Sequence, residues 1–90
     1  MPFDPALPRT FNAISIRAHA PMASGVYGLS NARAWLFIGE TDNIQESLLE
    51  HLRAGSEQAT GFCFEMYAAG GRARRQDRLV QEYEPGGNRR

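Results

Sequence analysis

The sequence predicts a small α+β domain in which helices flank a mainly antiparallel sheet of three to four strands. Three observations support this. The chain has 90 residues, which is enough for one small domain with a single core. Short apolar runs bounded by turn residues alternate with two longer segments whose apolar residues recur every three or four positions. Two of the short runs are separated by a brief polar break, which is typical of an antiparallel hairpin.

The N-terminal part is predicted to contain an arm and a strand. Residues 1–11 carry three prolines and are expected to form an irregular arm, followed by a single domain over residues 12–88. In the run 13–17, Ile14 and Ile16 alternate with smaller or polar residues. This period of two indicates a half-buried strand, which would be an addition at the sheet edge.

The middle of the chain is predicted to form a hairpin and a helix. The apolar runs 26–30 and 34–38 are separated by three residues and predict the hairpin. Asp42 followed by Gln45 is similar to a capping box and indicates a helix start. The apolar stripe of this helix contains Ile44, Leu48, Leu49 and Leu52. Gly55 is placed to terminate it.

The last part is predicted to contain one strand and one helix. The run 62–67 predicts the strand, and Gly70-Gly71 predicts a break after it. A helix is expected over residues 72–83, because Leu79, Val80 and Tyr83 form an apolar stripe. The segment 85–87, Pro-Gly-Gly, ends it.

Composition limits the classes of function. The formal net charge is zero, so no overall basic field attracts nucleic acid. Cys63 is the sole cysteine, which excludes an internal disulfide and favours a reducing compartment. Its neighbours Phe62 and Phe64 predict a buried, inert thiol. The first residues lack the pattern of a signal peptide and no run is long enough for a membrane span, so we expect a cytoplasmic protein.

Three motifs then give this order of elements a family resemblance. Gly25-Val26-Tyr27 is followed by Phe37-Ile38-Gly39-Glu40-Thr41 and by a helix carrying Glu50-His51. This order resembles the GIY-YIG nuclease superfamily over about residues 24–88. The resemblance implies a three-stranded antiparallel sheet flanked by helices. It also implies metal-assisted phosphodiester hydrolysis, with a glutamate on a late helix for the metal, an arginine on the first helix for the phosphate, and tyrosines and a lysine around the strand ends.

The positions that carry this chemistry in the family are mostly changed here. Tyr27 and His51 match the tyrosine and the histidine of the family. Phe37, Glu40, Ser47 and Gln76 stand where the family has a tyrosine, a lysine, an arginine and a glutamate, respectively. The late-helix pattern is otherwise matched by Leu79, Val80, Tyr83, Pro85 and Asn88. Glutamine is a poor ligand for a hard divalent cation, and Ser47 supplies no charge for a phosphate. Glu40 would repel a phosphate. We therefore expect no intact catalytic residue, no metal and no cofactor.

Structural explanations compete with functional ones at the same positions. Tyr27 could be a core aromatic, and His51 at a helix end could complement the helix dipole. Gln76 shares the inward stripe of its helix, where a glutamine usually satisfies a backbone group. Arg72, Arg74, Arg75 and Arg78 form a basic cluster that is either a solvated helix face or a nucleic-acid-binding ridge.

Two functions remain open from the sequence. The first is a degenerate GIY-YIG domain without nuclease activity that binds nucleic acid or a protein partner. The alternative is an active endonuclease with a rearranged site, in which Glu40, Glu46 or Glu65 would hold Mg²⁺ or Mn²⁺. An added edge strand would allow two copies to pair edge to edge as a homodimer, whereas a proline-rich arm over that edge would prevent it.

Overall fold

The computed structural model describes residues 3, 8–32, 34–55, 59–83 and 85. These residues form four strands and three helices, which confirms the predicted α+β class. In chain order the elements are β1 (Arg9–Thr10), α1 (Ala13–His19), β2 (Gly25–Ser30), β3 (Trp35–Thr41), α2 (Ile44–Arg53), β4 (Gly61–Met66) and α3 (Ala69–Tyr83).

The sheet is antiparallel throughout, with strand order β1-β4-β2-β3. β2 and β3 form the predicted hairpin, with a register shift between Leu29 and Ser30. Tyr27 in the central strand β2 lies opposite Gly39 of β3 and Phe64 of β4. The first motif therefore occupies the middle of the sheet, and the second motif occupies the neighbouring strand.

Helices cover both faces of the sheet and create two apolar clusters. The cluster on the side of α1 and α2 contains Phe11, Ile16, Ala20, Tyr27, Leu29, Ile44, Leu48, Leu49, Ala59 and Phe62. The cluster on the side of α3 contains Phe3, Val26, Ile38, Cys63 and Leu79. Cys63 is buried, as predicted, and desolvation raises the pKa of its thiol to about 11. The thiol is therefore protonated and unreactive at neutral pH.

The strand predicted over residues 13–17 is wrong, because these residues form helix α1. The side chain of Asn12 accepts a hydrogen bond from the Ser15 amide and caps the helix. Ile16 is fully buried but Ile14 is 82% exposed, so the alternation of the two isoleucines does not mark one buried face. A helix of only seven residues carries too few apolar positions for its period to be recognised.

The arm predicted as irregular contributes to the folded unit. Within it, Arg9 and Thr10 form β1, which pairs with Phe62 and Gly61 of β4. The edge strand therefore precedes α1 instead of lying at residues 12–18. Phe3 is 2% exposed, and its ring stacks on Trp35 with ring centroids 5.2 Å apart.

Two helix starts also differ from the prediction. Asn43, not Asp42, caps α2, because its Oδ1 accepts from the Glu46 amide at 3.0 Å. The prediction that Gly70-Gly71 breaks the chain is wrong, since both glycines lie in the first turn of α3. The end of α2 is as predicted: Gly55 has φ +82°, a conformation that favours glycine.

Asn88 of the late-helix pattern, and residues 86 and 87 of the predicted helix stop, lie outside the described residues. No helix in the described part of the chain is long and apolar enough to cross a membrane.

Candidate functional site

Three aromatic side chains from the predicted site contact one another on the side of α1 and α2. The Tyr27 hydroxyl lies 2.9 Å from Nε2 of His51, at hydrogen-bond distance. The ring centroid of Phe37 lies 6.0 Å from that of Tyr27 and 5.1 Å from that of His51. The hairpin and the last turn of α2 thus bring together Tyr27 and His51, which are 24 positions apart in the chain. We call these three residues the ring cluster.

The glycine of the second motif has a steric role beneath the ring cluster. Gly39 lies opposite Tyr27 in the β2–β3 pair. A Cβ at position 39 would lie 2.8 Å from Cε2 of Phe37 and 2.9 Å from the Tyr27 hydroxyl oxygen. Only a residue without a side chain lets the tyrosine cross the strand and reach His51. This gives the glycine of the second motif a structural explanation.

Burial keeps the ring cluster uncharged near neutral pH. Desolvation, together with a smaller contribution from the charge of Glu50, raises the pKa of Tyr27 to about 12. Desolvation lowers the pKa of His51 below its usual 6.5, against the opposing effect of Glu50. A protonated phenol and a neutral imidazole therefore share the hydrogen bond. This pair carries no positive charge to stabilise a phosphate.

Ser47 lies one turn before His51 on α2 and contacts the end of β3. The Ser47 hydroxyl hydrogen-bonds the Thr41 hydroxyl. The Thr41 hydroxyl also accepts a hydrogen bond from the backbone amide of Asn43 and donates one to the backbone carbonyl of Asn43. The position where the resemblance implies an arginine thus holds a local, uncharged network that fixes the start of α2.

Glu40 of β3 and Gln76 of α3 lie on the other side of the sheet, which α3 covers. Nε2 of Gln76 donates to the backbone carbonyl of Ile38 at 3.1 Å, which confirms that this inward glutamine satisfies a backbone group. The predicted positions therefore form two groups: the ring cluster with Ser47 on one side, and Glu40 with Gln76 on the other. Both groups flank the second half of the edge strand β3.

Arg72 joins α3 to the loops at one end of the sheet. Its Nε donates to Glu40 at 2.9 Å, and its Nη1 donates to Asp42, to the carbonyl oxygen of Thr41 and to the hydroxyl of Ser24. The Arg72 side chain is only 17% exposed. Sequence reasoning missed this connection because the charged partners are 30 and 32 residues distant.

A second arginine of the predicted basic cluster is also paired internally. Arg75 donates from Nε and Nη2 to the two carboxylate oxygens of Glu65, both at 2.8 Å, and the side chains are 11% and 9% exposed. Arg74 and Arg78 are exposed on α3. The cluster is therefore not one uniform ridge: two guanidinium groups face internal carboxylates, and two face outward.

Comparison with solved structures identifies the fold. The chain is similar to the N-terminal GIY-YIG endonuclease domain of UvrC from Thermotoga maritima bound to magnesium, its catalytic divalent cation. The TM-score is 0.69 at 21% identity, covering 82% of this chain and 96% of that one. Two point mutants of the same domain, each bound to its catalytic divalent cation, give TM-scores of 0.70 at 21% and 22% identity.

The chain has the GIY-YIG domain fold. The two point mutants cover 83% and 82% of this chain and 96% of their own. The sequence matches no family model and no curated protein. At this identity the likeness concerns the GIY-YIG fold alone, so the chemistry must be argued from the side chains.

In this GIY-YIG fold, each carboxylate that could form a rearranged metal site makes an ion pair with an arginine. Glu40 pairs with Arg72, Glu65 with Arg75, and Glu46 with Arg53 at 3.1 Å. Within the described ranges, no three His, Cys, Asp or Glu residues are grouped so that they could hold a metal ion. A metal at any of these carboxylates would have to compete with a guanidinium.

Proposed function

We propose that this chain is a non-hydrolytic domain of the GIY-YIG fold that binds a protein partner. The observation that supports it is the pairing of charges around β3 and β4. Glu40 and Glu65, the most buried of the candidate metal ligands, already neutralise Arg72 and Arg75. The charged groups near the site stabilise the fold and are not available for a substrate.

Hydrolysis of a phosphodiester needs charged groups that Ser47, His51 and Gln76 do not supply. The reaction requires a Lewis acid or fixed positive charge where negative charge develops, together with a base near the attacking water. Gln76 presents an amide donor to a backbone carbonyl, and Ser47 presents a hydroxyl to another hydroxyl. His51 is a neutral ring bonded to Tyr27. None of these side chains supplies a charge.

The same pairing favours protein over nucleic acid as the partner. Nonspecific binding to nucleic acid depends on arginines or lysines that neutralise several phosphates at once. Of the four arginines predicted to contact phosphates, Arg72 and Arg75 are already bonded to carboxylates, which leaves Arg74 and Arg78. Two exposed arginines on a chain of zero formal charge are a weak basis for phosphate binding.

A nicking assay tests the absence of hydrolysis. Supercoiled plasmid is incubated with the purified protein in Mg²⁺ or Mn²⁺, beside the variants Glu40→Ala and Glu82→Ala. We expect no metal-dependent nicking by any of the three proteins. Nicking by the wild type and by Glu82→Ala, but not by Glu40→Ala, would overturn the proposal and identify a rearranged active site.

A mobility-shift titration separates the two kinds of partner. Duplex, single-stranded and branched DNA are titrated with the wild type and with an Arg74→Ala/Arg78→Ala variant at low and moderate salt. We expect no retention that depends on salt. Salt-sensitive retention that the double variant loses would show a nucleic-acid-binding module and remove the protein-binding half of the proposal.

A further inference from the structure

A cleft with polar walls lies at the end of the sheet where β1, β4 and β2 meet. Its volume is about 240 Å³, and it is lined by residues 8–10, 30–32 and 60–61. Ser30 is the last residue of β2, so the cleft lies at the opposite end of this strand from Ser24 and Arg72. We call it the polar cleft.

Strand pairing places three residues of the polar cleft in one row on one face of the sheet. Thr10 of β1 lies opposite Gly61 of β4, and Gly61 lies opposite Ser30 of β2. Directly opposed residues of antiparallel strands extend their side chains on the same face. This is the face that α3 covers, because Cys63, two residues after Gly61, belongs to the apolar cluster on that side. The hydroxyls of Thr10 and Ser30 therefore flank a residue that has no side chain.

The Ser30 hydroxyl lies over Gly61 without a partner in the described part of the chain. Ser30 is 5% exposed, and a Cβ added at Gly61 would lie 3.3 Å from its Oγ. No hydrogen bond joins this hydroxyl to another described residue, whereas every fully enclosed side-chain nitrogen or oxygen in those ranges has one. The hydroxyl is therefore reached from the polar cleft and is available to a group bound there.

Backbone hydrogen bonds fix the walls of the polar cleft. The Thr60 amide donates to the carbonyl of Ser30 at 2.8 Å, and the Phe11 amide donates to the carbonyl of Thr60 at 3.0 Å. The Asn31 amide donates to the carbonyl of Ala34 at 2.9 Å, within the hairpin turn. These bonds connect the three strands at this end of the sheet, so the hydroxyls are held in position before a ligand arrives.

The charge around the polar cleft is positive. Among the described residues that line it, Arg9 is charged and none is acidic. Alternation in β1 gives Arg9 the face opposite to that of Thr10, so we assign it a charge that acts through space and not a hydrogen bond. This charge reaches the face of the cleft, because it opposes the rise that desolvation causes in the pKa of the Cys63 thiol. Hydroxyl donors beside a positive charge favour an anion over a cation.

A carboxylate fits these groups better than a phosphate does. It carries one negative charge, and its two oxygens accept hydrogen bonds from donors on different sides. A phosphate group carries a charge of about −1.5 to −2 and is commonly held by arginines in direct contact. The polar cleft has two hydroxyls in a row and one arginine that acts through space, which matches the smaller charge.

We propose that the polar cleft binds a carboxylate group, to which the hydroxyls of Ser30 and Thr10 donate while Arg9 supplies positive charge. The carboxylate belongs either to a small free acid or to the C-terminus of a peptide, since both present the same two oxygens. The site is independent of the proposed function, because it uses neither the ring cluster nor the arginines of α3.

Titration of the ¹⁵N-labelled protein with sodium acetate, followed through the backbone amide signals, tests this inference. We expect saturable shifts confined to the amides of residues 9–11, 30–32 and 60–62. Sodium chloride at the same ionic strength should not produce them. Ser30→Ala and Thr10→Val should each weaken acetate binding about tenfold, because each removes a hydrogen bond to a charged group.

A pair of arginine variants tests the assigned charge. Arg9→Gln should weaken acetate binding about twofold, which is the loss expected for one charge acting through solvent at several ångströms. Arg17→Gln is the matched control, because Arg17 is exposed on α1 and lies outside the polar cleft. Its acetate binding should equal that of the wild type.

Two further probes distinguish the sources of the carboxylate. N-acetyl-diglycine and its C-terminal amide are titrated under the same conditions. Tighter binding of the peptide acid than of acetate assigns the site to a peptide C-terminus, and equal binding assigns it to a free acid. In both cases the amide should not bind.

Six results would overturn the inference. They are no saturable shift with acetate, equal shifts with sodium chloride, binding of the amide as tight as that of the acid, tighter binding of inorganic phosphate than of acetate, unchanged acetate affinity in both hydroxyl variants, and equal losses in Arg9→Gln and Arg17→Gln. Thr10 is exposed, so Thr10→Val decides the hydroxyl test alone if Ser30→Ala does not fold.

Discussion

Replacing the glycine beneath the ring cluster should destabilise the domain through one identifiable contact. In Gly39→Ala the new methyl group would lie 2.8 Å from a Phe37 ring carbon and 2.9 Å from the Tyr27 hydroxyl oxygen. Both separations are well inside ordinary van der Waals contact. Tyr27 is 6% exposed and bonded to His51, so it cannot move aside without losing that bond.

The expected change in the free energy of unfolding combines two destabilising effects with one stabilising effect. Overpacking of this kind costs about 1–3 kcal/mol, and a lost hydrogen bond costs about 0.5–1.5 kcal/mol. Replacing a strand glycine by alanine returns up to about 1 kcal/mol of backbone entropy. We therefore expect the free energy of unfolding of Gly39→Ala to fall by about 0.5–4.5 kcal/mol.

Urea unfolding measures this change, with Gly70→Ala as the control. An added Cβ at Gly70 meets nothing within 4 Å, and this residue lies in a helix. Gly70→Ala should be as stable as the wild type or more stable by up to about 1 kcal/mol. In a Tyr27→Phe background the cost of Gly39→Ala should shrink, because the 2.9 Å contact is removed. Equal stability of Gly39→Ala and wild type would refute the steric role.

Three further perturbations test the charge and hydrogen-bond networks. Arg75→Ala should lower the free energy of unfolding by about 3 kcal/mol, because it leaves a nearly buried carboxylate in β4 without its bidentate partner. Gln76→Glu should destabilise by about 1–3 kcal/mol in urea unfolding, because a carboxylate cannot donate to the β3 carbonyl. The stability contributed by His51 should be present above about pH 6.5 and disappear as pH falls through its lowered folded-state pKa. Urea midpoints at several pH values, compared with His51→Gln, measure this slope.

Matched variants make these results specific. Arg74→Ala and Gln81→Glu change exposed residues of the same helix and should leave stability nearly unchanged. If Arg75→Ala is no worse than Arg74→Ala, the buried ion pair is not stabilising. If Gln76→Glu matches Gln81→Glu, the amide bond to β3 is unimportant. If the urea midpoint of His51→Gln falls with decreasing pH as steeply as that of the wild type, a group other than His51 causes the pH dependence.

The sequence predicted the hairpin and α2 because their signals are local and strong. The apolar stripes of α2 and α3 each follow from the period of a single helix. The alternation of two isoleucines predicts a strand at residues 13–17, but these residues form α1, in which Ile14 is exposed and only Ile16 is buried. The Asn12 cap was the sequence signal that could have corrected this.

The break predicted at Gly70-Gly71 is wrong for a different reason. The first amides of a helix have no partner within it, so Gly70 and Gly71 weaken that turn less than they would weaken an interior one. A pair of glycines after a strand therefore does not exclude a helix start.

The charge pairs could not be predicted from the sequence. Arg72 meets Glu40 across 32 positions, and only the packing of α3 on the sheet determines that contact. The run of arginines in α3 therefore predicts one basic cluster, whereas the fold divides these arginines between internal carboxylates and solvent. The sequence also does not predict which groups Ser47 and Gln76 bind, namely a hydroxyl and a backbone carbonyl of β3.

Metal binding to the folded protein tests the central claim most directly. Mn²⁺ is titrated into ¹⁵N-labelled protein while paramagnetic broadening of the backbone amide signals is followed. Because Glu40 already pairs with Arg72 and Gln76 bonds a carbonyl, we predict no saturable broadening around Ile38, Glu40 or Gln76. Saturable broadening centred on those residues would show that the site still holds a divalent cation, and it would contradict the account.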